Sequence, residues 1–301
     1  MKTSGLIRIA SLLALSLPGL GTAQTQNLFV ADYGTGNIYD YTPTGARSTF
    51  ANVTHPSGMA FNSAGDLFVT SQTLGTIYEF TPGGVESTFA SGLSGPDAIA
   101  FDSAGNLYET DAGSGNVYEF TPGGVRSTFA SGLNRINGMA FDSSGNLFVA
   151  CQGVIADGTI VKITPGGSQS VFASGLYPIG LAFNSAGNLF ESDSFGVFEF
   201  TPGGVKSTYQ SITAFGPSGS TGLYGMAFDS AGDLFTAVQN ANTHPTVDQI
   251  DEVTPGGTES TFANGLNFPA YMAFQPVPEP SVWALLGTGI VTFLGFCRKS
   301  V

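Results

Sequence analysis

The dominant feature of the chain is a segment of about 40 residues that occurs six times. Each copy joins short apolar runs through turns rich in glycine and proline, and successive copies start 39, 40, 40, 42 and 45 residues apart. The starts are Asn27, Asp66, Asn106, Asn146, Asn188 and Asp233. A period of this length, built from strands and tight turns, is typical of β-propeller blades, which bury their apolar faces against neighbouring blades.

The third copy shows how one repeat forms a four-stranded blade. It contains two recurring turn motifs, D-S-A-G-N at 102–106 and T-P-G-G at 121–124. Glycine supplies the left-handed backbone of a hairpin loop, and proline presets φ for a tight turn. The strands predicted around these turns are 98–101, 106–110, 116–120 and 125–130.

The two ends of the repeat array predict how the ring closes. The D-S-A-G-N turn has only five near-copies, because the chain enters its first repeat at Asn27 with a second strand and ends with a lone first strand at 270–274. These pieces would complete one blade. We therefore predict an all-β, six-bladed propeller of four-stranded blades over residues 24–275, closed by the C-terminal strand so that the ring has no open edge.

Residues 27–274, with these turns and without a Trp-Asp dipeptide, resemble the secreted six-bladed propellers of the NHL and gluconolactonase-like kind. The resemblance implies the fold. It leaves the activity open, because one propeller architecture hosts many functions.

The N-terminal residues 1–23 have the three parts of a secretory signal peptide. Lys2 and Arg8 make the region positive, Ile9–Leu17 is a short apolar run, and small residues precede Gln24. We predict removal by signal peptidase, because the apolar run is too short for a membrane anchor.

The C-terminal residues 276–301 form a second predicted targeting segment. The parts in chain order are Pro278-Glu279-Pro280, the uncharged apolar run 281–297, and Arg298-Lys299. The run is long enough for a transmembrane helix whose basic end stays in the cytoplasm. This order closely resembles the PEP-CTERM sorting signal. The resemblance implies an exosortase partner, transient anchoring in the inner membrane of a Gram-negative bacterium, and final release to the cell surface or extracellular matrix. An ordinary tail anchor is the alternative.

Charge and cysteine content narrow the possible partners. Between the two terminal segments the chain has 5 basic and 21 acidic residues, a net charge of −16. This argues against nucleic acid as a partner, because its phosphates need a basic surface. Cys151 is the only cysteine between those segments, so the ring has no internal disulfide.

The residues that precede each first strand are predicted to line the mouth of the central channel. They are Ser57, Asp97, Asn137, Ile179, Tyr224 and Ala270. The stretches around Asp97 and Asn137 resemble the motifs that ligate a divalent cation in gluconolactonase-like propellers, which implies a possible Ca²⁺ site. The family's glutamate on a first strand has no counterpart at Ser57 or Ala270. A polar channel that holds water is the alternative.

A second set of positions ends each second strand and carries an aspartate on alternate blades. The set is Asp32, Ser71, Asp111, Cys151, Asp193 and Val238. We predict that the three aspartates lie at the channel mouth. The favoured interpretation is that they accept hydrogen bonds from amides of the following loop, and the alternative is an acidic cation site.

The two faces of the ring differ in how strongly their loops vary. The D-S-A-G-N and T-P-G-G turns form one face, called here the constant face. The loops between second and third strands and the linkers between blades form the other, called the variable face, and both histidines, His55 and His244, lie on it. Because binding residues concentrate on loops of a rigid scaffold, the variable face is the predicted binding face.

Three functions remain open from the sequence. The favoured one is an exported, non-enzymatic surface protein that binds polysaccharide or an envelope protein through the variable face. The alternative is a metal-dependent, lactonase-like or lyase-like hydrolase with its site in the channel. A lyase of the virginiamycin B type would need a histidine beside an acid or a metal. The third is a structural spacer without a ligand.

Overall fold

The computed structural model describes residues 26–153, 157–211, 221–240 and 248–276, and all regular structure within these ranges is β-strand. In chain order the strands are β1 (Leu28–Asp32), β2 (Asn37–Tyr41), β3 (Arg47–Asn52), β4 (Pro56–Phe61), β5 (Leu67–Ser71), β6 (Thr76–Phe80), β7 (Glu86–Ser91), β8 (Pro96–Phe101), β9 (Leu107–Asp111), β10 (Asn116–Phe120), β11 (Arg126–Ala130), β12 (Ile136–Phe141), β13 (Leu147–Cys151), β14 (Gly158–Ile163), β15 (Gln169–Leu176), β16 (Gly180–Phe183), β17 (Leu189–Ser192), β18 (Gly196–Phe200), β19 (Lys206–Ser211), β20 (Thr221–Phe228), β21 (Leu234–Asn240), β22 (Asp248–Val253), β23 (Glu259–Leu266) and β24 (Pro269–Phe274).

The strands form six antiparallel sheets of four strands each. Blade 1 has the order β24-β1-β2-β3, and blades 2 to 6 take β4–β7, β8–β11, β12–β15, β16–β19 and β20–β23. The predicted six-bladed, all-β propeller is therefore confirmed.

The last strand closes the ring by completing the first blade, as the sequence predicted. Strand β24 pairs antiparallel with β1, with Leu28 opposite Phe274 and Val30 opposite Met272. The pairing continues past the strand ends, where the Gln275 amide donates to the Asn27 carbonyl at 2.9 Å.

Aromatic residues hold neighbouring blades together through one contact that is repeated around the ring. The second residue of each second strand packs edge-on against two rings, one from the outer strand of its own blade and one from the next blade. Phe29, for example, lies 5.1 Å from Phe50 and 5.0 Å from Phe61. The same contact closes the ring, where Phe235 of blade 6 lies 5.1 Å from Phe274 of β24. Edge-to-face packing at this distance is the favoured geometry for aromatic pairs.

Both predicted terminal segments lie outside the described residues. These are the signal peptide 1–23 and the sorting segment from residue 277 onward, with Pro278, Glu279, Pro280, Arg298 and Lys299. In the ranges that the structure describes, no helix is long and apolar enough to span a bilayer.

Candidate functional site

A β-bulge in the first strand directs the channel residues inward in five of the six blades. In blade 3, the pairing of β8 with β9 passes from Pro96 directly to Ile99 and skips two residues. The same skip occurs in β4, β12, β20 and β24. The skipped residues include Ser57, Asp97, Asn137, Tyr224 and Ala270. A bulge turns a side chain away from the regular pleat, so these residues line the channel and do not face a neighbouring blade.

All six residues predicted at the channel mouth line one cavity of about 270 Å³. The cavity opens at the variable face, since loop and linker residues complete its wall. The lining residues are Tyr33, Ser57, Gln72, Asp97, Asn137, Ile179, Tyr224, Gln239, Phe268, Ala270 and Tyr271. One carboxylate, three amides and three phenols thus converge on a space that also has apolar walls.

Tyr271 lines this cavity from within the channel, and the sequence analysis did not single it out. The equivalent residues in the other five blades are glycine or alanine: Gly58, Ala98, Gly138, Gly180 and Gly225. Glycine is needed at Gly58 because a Cβ there would overlap the Asp97 carbonyl oxygen of the next blade. Tyr271 packs against core residues of blades on both sides of the ring, so its ring fills the space that the small residues leave. The sequence could have revealed Tyr271, because it is a large residue at a position that is glycine or alanine in the other five blades.

Asp97 is the acidic centre of the cavity. The Ser57 hydroxyl donates to Asp97 Oδ1 at 2.9 Å, and the Tyr271 hydroxyl donates to Oδ2 at 3.4 Å. Burial raises the pKa of Asp97 to about 6, although both hydroxyl groups favour the ionised form and lower it. A carboxyl group in this range exchanges protons near neutral pH.

Three hydroxyl groups fix the backbone of the three large polar channel residues. Thr70 Oγ1 donates to the Asp97 carbonyl at 2.9 Å, and Thr110 Oγ1 donates to the Asn137 carbonyl at 2.8 Å. Ser192 Oγ donates to the Tyr224 carbonyl at 2.6 Å. The equivalent residues of blades 1, 4 and 6 are Ala31, Ala150 and Ala237, and they precede the blades that carry Ser57, Ile179 and Ala270. The hydroxyl groups therefore occur only where a long polar side chain must be positioned.

Asp32, Asp111 and Asp193 were predicted at the channel mouth together with Ser57 and Tyr224, but they are not part of the cavity wall. Asp111 accepts bonds from the amides of Ser94 and Ser114 at 2.6 and 2.9 Å. Asp32 accepts from the Asn267 amide, and Asp193 accepts from the amide of Gly196. Backbone amides bind these carboxylates and hold them at the strand ends, which agrees with the favoured structural interpretation of this second ring.

Glu109 and Glu191 are buried carboxyl groups that the sequence analysis missed. Both are fully buried, and all four of their carboxyl oxygens lack a hydrogen-bond partner. Burial, with a further contribution from the charge of Asp111, raises the pKa of Glu109 to about 9, and burial raises that of Glu191 to about 8. Three other blades have valine at this position of the second strand. The sequence could therefore have revealed both glutamates as residues that differ from the repeat.

The cavity lining has a single carboxylate, so the calcium site that the resemblance implied stays a prediction. Ca²⁺ takes six to eight oxygen ligands. Asp97 is the one carboxylate of the lining, its oxygens are bonded to two hydroxyl groups, and Asn137 adds a single further side-chain donor from the predicted pair. Ile179 and Ala270 add none. Among the described residues, no three His, Cys, Asp or Glu side chains are grouped so that they could hold a metal.

Two further candidates for a nucleophile or base are described by the structure, His55 and Cys151, and neither is part of the cavity lining. His55 stands at the mouth, where its ring stacks on Tyr33 at 4.7 Å. His244 lies outside the described residues. Cys151 is buried, and burial raises its pKa to about 11, so its thiolate is disfavoured.

Two larger clefts lie at the constant face, between blades 2 and 3 and between blades 4 and 5. Their volumes are about 430 and 360 Å³. Equivalent repeat residues line both, among them Asp102 and Asp142, whose carboxylates bind amides of their own turns. Because they are two copies of one structural feature, they are less suited to a specific ligand than the asymmetric cavity.

Comparison with known proteins supports the fold. No family model matches the chain, and no curated protein sequence matches it. A gluconolactonase from Xanthomonas campestris matches with a TM-score of 0.60 at 19% identity, covering 70% of this chain and 79% of that chain. A catalytically inactive virginiamycin B lyase from Staphylococcus aureus, with quinupristin, matches with a TM-score of 0.58 at 13% identity, covering 84% and 94%. The calcium-binding protein regucalcin from Agrobacterium tumefaciens matches with a TM-score of 0.56 at 17% identity, covering 68% and 72%. The structural neighbours thus include lactonase-like and lyase-like propellers, and at these identities the likeness shows the fold alone.

Proposed function

We propose that the protein binds a small, hydroxyl-rich ring, of the sugar or sugar-lactone class, in the cavity at the variable face. The observation that carries this proposal is the asymmetry of the channel. Asp97, Asn137 and Tyr224 replace small or apolar residues of the equivalent positions, and each has its carbonyl fixed by a hydroxyl group of the preceding blade. A channel that only held the ring together would not need this support.

The chemistry of the wall suits such a ligand. The amides of Gln72, Asn137 and Gln239 can both donate and accept hydrogen bonds, as sugar hydroxyl groups do. Tyr33 and Phe268 offer aromatic faces at the mouth, against which the C–H face of a ring can pack. A volume of about 270 Å³ lies just below the range of drug-sized pockets and suits a single ring.

The proposed setting is the cell surface or extracellular matrix, where polysaccharide would be the source of the ligand. The leader 1–23 and the PEP-CTERM-like segment 276–301 support export, with processing by an exosortase-type partner. The structural neighbour from Xanthomonas campestris is a gluconolactonase, and gluconolactone is itself a hydroxyl-rich ring.

Titration calorimetry of the purified protein with D-glucose, glucono-δ-lactone and oligosaccharides from matrix polysaccharide tests this function. We expect binding of at least one of these that is lost in Asp97→Asn and in Asn137→Ala. The matched control is Ser103→Ala, an exposed residue of the constant face, which should bind as the unaltered protein does. Absence of binding to every probe, or binding that survives both cavity substitutions, would contradict the proposal.

Acid–base hydrolysis of a bound lactone is the second candidate, and the protonation behaviour of Asp97 favours it. A carboxylate with a pKa near 6 can accept a proton from a water molecule as the water oxygen attacks the lactone carbonyl. It can return that proton to the ring oxygen as the bond between the acyl carbon and this oxygen breaks, which leaves the open hydroxy acid. Release of acid from glucono-δ-lactone, measured at constant pH above the spontaneous rate and abolished in Asp97→Asn, would support it. Thermal melts with and without Ca²⁺ test whether a cation contributes, since a ligand of the folded state raises the melting temperature.

A further inference from the structure

One D-S-A-G-N-type turn of the constant face differs from its equivalents in a way that removes a hydrogen bond. In blade 3 the turn begins at Asp102 and ends at Asn106, and Asn106 Nδ2 donates to Asp102 Oδ2 at 2.9 Å. The turns of blades 2 and 4 have the same kind of bond between an amide and a carboxylate, at 2.9 and 2.7 Å. In blade 6 both positions carry aspartate, Asp229 and Asp233, so neither side chain can donate to the other when both are ionised.

The residue at the end of the turn also reaches a third position, on the third strand of its blade. In blade 5, Asn188 Nδ2 donates to Glu199 Oε1 at 2.7 Å. From blade 2 to blade 6, the three equivalent positions are Asn62, Asp66 and Glu79; Asp102, Asn106 and Glu119; Asp142, Asn146 and Lys162; Asn184, Asn188 and Glu199; and Asp229, Asp233 and Glu252. In this sequence comparison, blade 6 alone has a carboxylate at all three positions.

The carboxylate of Asp229 has one oxygen bound and one without a partner. Asp229 is only 7% exposed, and its Oδ1 accepts bonds from the amides of Ala231 and Asp233, both at 2.8 Å. Its Oδ2 is buried and has no hydrogen-bond partner among the described residues. In blades 3 and 4 the equivalent oxygen faces the side chain at the end of the turn, so Asp229 Oδ2 is directed at Asp233. A buried carboxylate oxygen costs free energy unless a donor or a cation pairs with it.

The charges around this oxygen add to the need for a cation. Burial raises the pKa of Asp233, and the charge of Asp229 raises it further. Burial also raises the pKa of Glu252, with further contributions from Asp233 and Asp229. In blade 4 the equivalent turn has its own cation, because Lys162 lies 4.0 Å from Asp142. Blade 6 has a glutamate where blade 4 has this lysine.

We propose that Asp229 and Asp233 bind a hard divalent cation, Ca²⁺ or Mg²⁺, at the constant face of blade 6. Such ions take oxygen ligands, and Mg²⁺ in particular is bound through one or two carboxylates while water completes its shell. Asp233 is half-buried, so an ion and its water molecules can reach the pair from solvent. The ion supplies the positive partner that an asparagine amide supplies in blades 3 and 4, and the charge of Glu252 adds to the attraction. This site lies at the face opposite the cavity, and its existence does not depend on the proposed function.

Thermal melts of the purified protein in CaCl₂, in MgCl₂ and in NaCl of equal ionic strength test the site. The NaCl arm is needed because a chain with a net charge of −13 gains stability from any salt. We expect at least one divalent ion, at about 10 mM, to raise the melting temperature by about 5 °C more than NaCl does. The repeat supplies the decisive variant, Asp233→Asn, which gives blade 6 the asparagine of blades 3 to 5. It should lose the shift and should melt at a higher temperature than the unaltered protein in the presence of a chelator.

Two further variants locate the ion. Asp97→Asn removes the carboxylate of the cavity and should keep the full shift. Asn106→Asp gives blade 3 the same three carboxylates as blade 6, so it should melt at a lower temperature in a chelator. By calorimetry, Asn106→Asp should bind one more divalent ion than the unaltered protein does.

Three outcomes overturn the proposal. The first is a melting temperature that neither divalent ion raises more than NaCl does, which would mean that the two aspartates share a proton. The second is a shift of the same size in Asp233→Asn. The third is a shift that disappears in Asp97→Asn, because the ion would then lie in the channel. Sugar binding is measured separately, so each of these results leaves the proposed function standing.

Discussion

The two faces of the ring are built from the same repeat but follow opposite rules. At the constant face, the threonine that begins each T-P-G-G-type turn accepts a bond from the amide four residues later in all six blades, at 3.1 to 3.2 Å. The five D-S-A-G-N-type turns likewise repeat one pattern of side-chain bonds to the backbone. At the variable face, equivalent positions carry different residues in different blades. Several of these residues have a strained backbone or are buried, and their contacts do not recur in the neighbouring blades. Positions that are the same in every blade therefore identify residues that the fold requires. Positions that differ between blades identify residues that serve another purpose, such as binding.

The largest expected difference between the faces concerns two glycines. Gly58→Ala at the channel should lower the free energy of unfolding by about 3 kcal/mol, because the new Cβ overlaps the Asp97 carbonyl oxygen and comes within 2.8 Å of Ala98 Cα. Gly83→Ala in a constant-face turn is the matched control. Its nearest atom would be Thr81 Oγ1 at 3.9 Å, so it should change stability by less than about 0.5 kcal/mol. Urea unfolding of both variants decides the comparison, and equal losses would contradict it.

Two residues that differ from the repeat, Glu109 and Glu191, are buried between blades and away from both faces. We expect each of them to lower the stability of the folded protein. Glu109→Val and Glu191→Val restore the valine of the equivalent strands and should each stabilise the protein by about 2 kcal/mol at pH 8.

The pH dependence has a definite sign. The pKa of Glu109 is raised from 4.5 to about 9 on folding, and that of Glu191 to about 8. Between those limits the folded state holds more protons than the unfolded state, so stability falls as pH rises from about 4.5 and levels off above the folded pKa. Unfolding measured from pH 5 to pH 9 should show this decline, and the valine variants should reduce it. A decline of the same size in the double variant would show that other groups cause it.

A pair of threonines tests whether the loss of side-chain hydrogen bonds weakens binding only at the channel. Thr121→Ala at the constant face removes the bond from the Val125 amide and should cost about 1 kcal/mol. Thr110→Ala removes the bond to the Asn137 carbonyl and the bond from the Ala98 amide, so it should cost about 2 kcal/mol. Only Thr110→Ala should weaken ligand binding, because it alone frees a channel residue. Calorimetry on both variants would contradict the assignment if the two bound alike.

The sequence predicted the repeated parts well because they depend on local rules. Turn chemistry and strand alternation defined the blades, the missing turn predicted the closure of β24 on β1, and the six channel positions followed from their place in the repeat. The sequence did not reveal the contacts between residues that are distant along the chain. Tyr271 meets Asp97 across 174 positions of the chain, so its role in the channel could be recognised only as a departure from glycine. Asp32 was predicted at the channel mouth, but the Asn267 amide, 235 positions away, binds it at the strand end. A repeat pattern shows which positions differ, and three-dimensional contacts show what each difference does.

The smallest expected effect tests whether the strain at the cavity mouth serves binding. His55→Gly should stabilise the protein by about 0.5 kcal/mol, because glycine adopts a φ of 46° without strain and the histidine side chain is exposed. The same variant should weaken ligand binding, because the stacked pair with Tyr33 is lost. Gly95→Ala is the reciprocal change. It introduces strain at a φ of 67° where no side chain is present, so it should destabilise by about 1 kcal/mol and leave binding unaltered. If His55→Gly gains stability and keeps its binding, the histidine in the left-handed conformation is only a tolerated substitution. The difference between blades at this position would then come from sequence drift and not from selection for a ligand.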